Sequence, residues 1–381
     1  MKTLPRVISK LALAGAALAA FAAPASASSA HHQFFHRDDN GVVFVQNDNP
    51  AGNQVIAYDR DRNGALTQAG TYPTGGLGGV LTGSVVDHTA SQGALTYDEG
   101  RGLLYAVNAG SDTISVFLVR HDRLFLREVL PSGGSFPVSV TVHGDLVYVL
   151  NARNGGTVSG FRALFNVLIP LRGSTRPLGL DAAAAPEFLN SPGQVAFSPN
   201  GSQLIVTTKA NGSSIDVFGV RWDGRLSAAP VVNSEPGAVP FAVSFDSAGH
   251  LVVTEAGVNS VGTFTLASNG TVTPIDLKPT GGAATCWIVN VNGFFYVSNA
   301  GSATVNGFVS SGSGALTPLT VTSTDGGTID AAASPDGRTL YVQTGAAGIV
   351  DEFHVNHDGS LTEIGSVTVP GAIGGEGIVA L

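Results

Sequence analysis

A single cysteine, Cys286, stands in a chain of 381 residues. No intrachain disulfide can form, and sites built from several thiolates, such as a cysteine-rich zinc centre, are excluded. Cys286 lies in the apolar run Thr285-Cys286-Trp287-Ile288-Val289 and reads as a buried, inert thiol. Charge is scarce too. Asp, Glu, Lys and Arg make up 12% of the chain, with a net charge of −9, which argues against a nucleic-acid partner. Beyond Ala23 no apolar run is long enough to span a bilayer, so no membrane span is expected in the mature chain. Long helical periodicity is missing there as well. No G-x-S-x-G or H-E-x-x-H pattern occurs. The glycine runs at 75–79 and 371–377 do not open helices, so they are not phosphate loops. No cofactor is expected, and the residues do not decide whether a metal is bound.

The first residues read as a targeting segment. Lys2, Arg6 and Lys10 precede an apolar run at 11–23, and Ala25-Ser26-Ala27 fits a cleavage site. Residues 1–27 are therefore a signal peptide by expectation, and the mature protein is periplasmic or secreted. Residues 28–40 read as a flexible mature N-terminus. His31, His32 and His36 lie there beside Asp38 and Asp39, where weak metal binding competes with plain disorder. Residues 41–381 form one domain, expected to be a monomer.

Fifty glycines punctuate short runs of Val, Ile, Thr and Phe, an all-β pattern. One unit recurs seven times. Its anchoring aromatics are Tyr58, Phe117, Phe161, Phe218, Phe264, Phe308 and Phe353, at spacings of 44 to 46 residues except for two of 59 and 57. Ahead of the anchor comes a strand such as Leu146-Val147-Tyr148-Val149-Leu150. Behind it comes a hairpin such as Asn63-Gly64-Ala65-Leu66-Thr67 or Asp358-Gly359-Ser360-Leu361-Thr362, whose Asn-Gly or Asp-Gly supplies the positive φ of a tight turn. Four short strands per unit make a propeller blade, and seven copies make a seven-bladed β-propeller. The first copy, from Gly41, lacks its innermost strand. Gly377-Ile378-Val379-Ala380-Leu381 resembles that strand, so the C-terminal strand should close the ring. The two long spacings mark insertions, at about 74–92 and 172–191, both in connections between blades.

The residue that ends each second strand forms a ring at the mouth of the axial channel: Asn47, Asn108, Asn151, Lys209, Glu255, Asn299 and Thr344. Asn here makes turns or binds a ligand. Lys209 and Glu255 occupy adjacent blades, with Arg153 one blade further. They form either a self-neutralising pair or a polar site in which Glu255 is the base and Lys209 and Arg153 face an anion. Asp330 and Glu376 begin innermost strands, as a carboxylate pair, a cation site or local caps. Asp87 and His88 lie in the first insertion, where a lid would sit.

The Ser-Pro-Asn/Asp-Gly turns (Ser198-Pro199-Asn200-Gly201, Ser334-Pro335-Asp336-Gly337), the Leu-Tyr-Val strands, the Ile-x-Val-Phe strands and the Asp-Gly-x-Leu-Thr hairpins together resemble the propeller lactonase family, which includes propeller-type 6-phosphogluconolactonase and the carboxymuconate-lactonizing enzyme. The resemblance runs from about Val42 to Leu381. It implies opening or closing of a small lactone or sugar-acid-like ligand at the channel mouth. Glu255 in Val253-Thr254-Glu255-Ala256-Gly257 matches the family's glutamate. Where the family commonly carries Arg-His and an earlier His, this chain reads Gly237-Ala238-Val239-Pro240-Phe241 and Asn190-Ser191-Pro192-Gly193-Gln194. Two functions follow: a lactone hydrolase or lactonizing isomerase, or a non-catalytic propeller binding a ligand, glycan or protein at the same mouth.

Overall fold

The computed structural model describes residues 41–381. The readings for residues 1–27 and 28–40, including His31, His32 and His36, lie outside the described residues. Seven antiparallel sheets follow one another, each with strands A to D counted from the axis outward. The A strands of blades 2 to 7 are Leu95–Asp98, Pro137–His143, Pro192–Phe197, Pro240–Phe245, Thr285–Val291 and Thr328–Ala333. Blade 1 takes its A strand, Ile378–Ala380, from the far end of the chain, where it pairs antiparallel with Val42–Gln46. The ring therefore closes as its repeats imply. Each A strand packs against the next around the circle. Helix is confined to Ala109–Ser111 and Glu187–Asn190 among the described residues.

Burial explains the sequence pattern of each strand. B strands such as Leu103–Asn108 and Leu146–Asn151 are buried at every position, because neighbouring blades cover both faces. They are accordingly unbroken apolar runs. D strands such as Val272–Pro279 alternate towards solvent.

The strand-B tyrosine and the Asp-Gly hairpin travel together for a reason. Tyr148 Oη donates to the carbonyl of Gly224 in the next blade (2.8 Å), Tyr296 Oη to Gly359 (3.0 Å) and Tyr341 Oη to Gly64 (2.7 Å). The glycine, at positive φ, turns its carbonyl into the interface. The hairpin between Thr157–Leu164 and Val167–Pro170 in blade 3 has no such glycine, and Tyr105 Oη of blade 2 is buried without a partner. An orphaned buried hydroxyl costs about 1–3 kcal/mol. Tyr105→Phe should therefore raise the melting temperature while Tyr148→Phe lowers it. Two equal decreases in calorimetry would refute the assignment.

Candidate functional site

Both insertions fold over one end of the ring. In the first, Gly78 N donates to Asn49 O (3.0 Å) and Leu77 O accepts from Gly110 N (3.0 Å), which ties its start to blades 1 and 2. Val86 then reaches blade 7, where a Cβ on Gly345 would lie 1.7 Å from its carbonyl oxygen, so only glycine fits there. His88 N donates to Gly374 O (2.8 Å). The segment is thus a strap across the mouth. Its tail plugs the channel. Trp287 Nε1 of blade 6 donates to Ser91 O (2.7 Å), Gln92 exchanges hydrogen bonds with Ile288 (2.8 and 2.9 Å), and Ser91 Oγ donates to Val138 O of blade 3 (2.8 Å). The second insertion meets the strap through Phe188 N and Thr82 O (3.3 Å).

Between strap and blades lies a cavity of about 280 Å³. Its walls are mostly apolar, with Val86 from the strap, Phe188 from the second insertion, and Phe241 and Trp287 from blades 5 and 6. Lys209 and Asp87 also line it. Lys209 is 2% exposed. Its ammonium donates to Ala90 O and lies 5.2 Å from the centre of the Phe241 ring. No carboxylate comes within 4.0 Å of it among the described residues. Burial lowers its pKa to about 8, partly countered by the charge of Asp87. Asp87 accepts from Thr89 N (2.8 Å), Thr89 Oγ1 (2.8 Å) and Ser91 N (2.9 Å). Burial raises its pKa, against the pull of these donors and of Lys209. Cys286 also lines the cavity, and burial pushes its thiol up to about 12, so it stays protonated.

Deeper in the channel, three more acids cluster. Glu376 accepts from Gly93 N (2.9 Å) and Thr89 Oγ1 (3.3 Å), has the Asp330 carboxyl beside it, and donates from its own backbone N to Asp48 Oδ2 (2.9 Å). Burial is the largest cause of the raised pKa of each, to about 7 for Asp48 and Asp330 and well above the ordinary value for Glu376. Of the three readings the sequence left for Asp330 and Glu376, the two side chains meet as a buried carboxyl pair. No group of three His, Cys, Asp or Glu side chains with metal-binding geometry occurs among the described residues. Asp48 was missed because it follows the ring position directly and resembles an ordinary turn residue.

The ring expected at the mouth exists, with two corrections. Its side chains brace their own blades. Asn108 donates to Thr113 Oγ1 (3.1 Å) and Ser115 Oγ (2.8 Å), Asn299 to Asn306 Oδ1 (2.7 Å), Asn151 to Thr157 O (3.5 Å), Asn47 to Gln54 Oε1 (3.3 Å), and Thr344 to Ile349 O (3.2 Å). These contacts tie the end of strand B to strand C or to the turn between them. Second, Thr208, not Lys209, holds the blade 4 position, opposite Ser214 and Pro192. The following turn carries one extra residue, and equal spacing from Phe218 moved the assignment by one. Glu255 does occupy the ring position, opposite Pro240 and Ser260. Its carboxylate points along the blade, so that a Cβ on Gly262 would meet Oε1 at 2.9 Å, and it does not line the cavity. Burial and the nearby Glu235 raise its pKa to about 7. Arg153 is engaged elsewhere, in an ion pair with Glu187 (2.6 Å) and over the Phe136 ring (4.2 Å). The expected trio is therefore dispersed, and Asp87 is the carboxylate Lys209 senses. Trp287 and Phe188 gave no sequence signal as cavity walls.

Seven four-stranded antiparallel blades closed into a ring define the class, a seven-bladed propeller. The model of the lactonase, seven-bladed β-propeller family matches residues 184–374, and the chain belongs to that family. Similar solved structures include the periplasmic gluconolactonase of Pseudomonas aeruginosa (18% identity, TM-score 0.72, covering 90% of this chain and 99% of that one). A candidate 6-phosphogluconolactonase of Bacteroides fragilis is also similar (18% identity, TM-score 0.71, 90% and 98%). More distant is the virginiamycin B lyase of Staphylococcus aureus (16% identity, TM-score 0.53, 71% and 82%). At these identities the likeness concerns the fold. No curated protein sequence matches the chain.

Proposed function

We propose that this lactonase-like propeller hydrolyses a small lactone in the strapped cavity. The observation that carries the reading is Lys209, a buried ammonium without a close carboxylate, in an apolar cavity it shares with Asp87. The Lys209 ammonium would donate to the lactone carbonyl oxygen and stabilise the oxyanion as water adds. Asp87 would take the proton of that water and return it to the ring oxygen as the C–O bond breaks, leaving a hydroxy acid. Export, expected from residues 1–27, is proposed with it.

The test is a lactone hydrolysis assay on the purified mature chain. Removing one oxyanion donor costs about 10²–10³ in turnover, so Lys209→Met should lose on that order. The wild-type rate should fall above about pH 8 as Lys209 deprotonates, a limb absent in the variant. Glu255→Gln should leave turnover unchanged. If Glu255→Gln abolishes it and Lys209→Met does not, the family's glutamate is the base and the cavity reading is wrong.

A second reading rests on the three donors that already occupy the Asp87 carboxylate. They compete with a water for its lone pairs and suit a binding propeller without turnover. Lactones would then raise the melting temperature and be recovered intact.

A further inference from the structure

We infer that the ligand of this cavity is an apolar, alkyl- or aryl-substituted lactone, not a polyhydroxylated or phosphorylated sugar lactone. This rests on the proposed lactone site and narrows its substrate. Three observations carry it. First, a hydroxyl entering the cavity finds few partners. Of the polar side chains that line it, Asp87 already accepts three hydrogen bonds, Ser84 Oγ donates to the Asp87 carbonyl, and Lys209 has spent one donor on Ala90. A buried hydroxyl left unpaired is strongly disfavoured. Second, Lys209 is the one cationic side chain lining the cavity, while Arg153 is held by Glu187 outside it. A phosphate dianion would bring two charges to one ammonium already near Asp87. Third, Phe188, Phe241, Trp287 and Val86 supply aromatic and aliphatic walls from four separate elements. The volume, about 280 Å³, lies at the small end for ligand pockets and suits one ring with a short tail.

The chain carries its own reporter. It has two tryptophans, and Trp222 is 93% exposed while Trp287 lines the cavity. In a Trp222→Phe background, emission comes from Trp287 alone. The experiment titrates a series of γ-lactones with lengthening alkyl tails, together with gluconolactone and its 6-phosphate, and follows quenching and hydrolysis side by side. Each added methylene should tighten binding and raise kcat/KM about fourfold, the equivalent of about 0.8 kcal/mol, until the cavity is full. The two sugar lactones should neither quench nor turn over. Preferred hydrolysis of a sugar lactone, lost in Lys209→Met, would overturn the substrate class and leave the hydrolytic reading standing. Quenching by alkyl lactones without turnover would keep the class and overturn hydrolysis. No quenching and no turnover with any of them would overturn both.

Discussion

Removing Ile378 to Leu381 should unfold the whole ring in a single step and not merely fray one end. These residues form the innermost strand of blade 1, with Val43 opposite Ala380, Phe44 opposite Val379 and Val45 opposite Ile378. Leu381 and Val42 also exchange backbone hydrogen bonds of 2.8 and 3.0 Å. Ile378 is 4% exposed and packs with Val43, Val45, Tyr58 and Tyr341, which join blades 1 and 7. A buried aliphatic side chain contributes about 1.5–3 kcal/mol. Deleting the strand also uncovers the inner faces of both neighbouring blades. The sum reaches the order of the 5–15 kcal/mol that holds a typical domain. Circular dichroism of the truncated chain should show a melting temperature lowered by many degrees, or no cooperative transition. An unchanged transition would mean that the strand is dispensable and that ring closure adds no cooperativity.

Raising the pH from 5 to 8 should destabilise the wild-type protein, and Glu376→Gln should abolish much of that loss. Asp48, Asp330 and Glu376 all have pKa values raised by burial. Between the ordinary carboxylate value of about 4 and the folded value of about 7 for Asp48 and Asp330, the folded chain keeps protons that the unfolded chain has released. The stability these three groups contribute is therefore fullest below about pH 4 and falls as pH climbs through that window, by about 1.4 kcal/mol per pH unit for each proton retained. Lys209 acts in a separate range, because its lowered pKa changes stability only above about pH 8. A glutamine at 376 keeps the acceptor for Gly93 N and can donate to Asp330 without ionising. The melting temperature of the variant should exceed that of the wild type at pH 8 and match it at pH 5. A variant less stable by the same amount at both pH values would show that Glu376 serves as an ionised brace.

Much of this architecture can be read from the chain because each blade must bury both faces of the same sheet. The aromatic anchors, the Leu-Tyr-Val strands and the glycine hairpins repeat because one interface repeats, and Ile378 completes blade 1 by the same pattern. The cavity is harder to read. Its walls come from the places where the repeat is broken, so spacing says nothing about where Val86 or Phe188 will lie. Lys209 illustrates this. One extra residue in its turn carries it past the ring position that Thr208 takes, and into the cavity. Glu255 shows the reverse case, a residue in the predicted position whose side chain runs along the blade instead of towards the axis. Asp330 and Glu376 were visible as strand-starting acids, yet the raised pKa of Glu376 owes part of its rise, after burial and Asp330, to Asp87 and Asp48, which arrive from distant turns.

The strap separates the ring that holds the fold from the segments that shape the cavity. Seven near-copies of one blade offer seven equivalent stations around the axis, and five of them hold the Asn and Thr side chains that brace the scaffold. The cavity is walled where two inter-blade connections exceed the common length. Such a scaffold can be given a different cavity by changing two segments, residues 74–92 and 172–191, while the seven blades keep their packing.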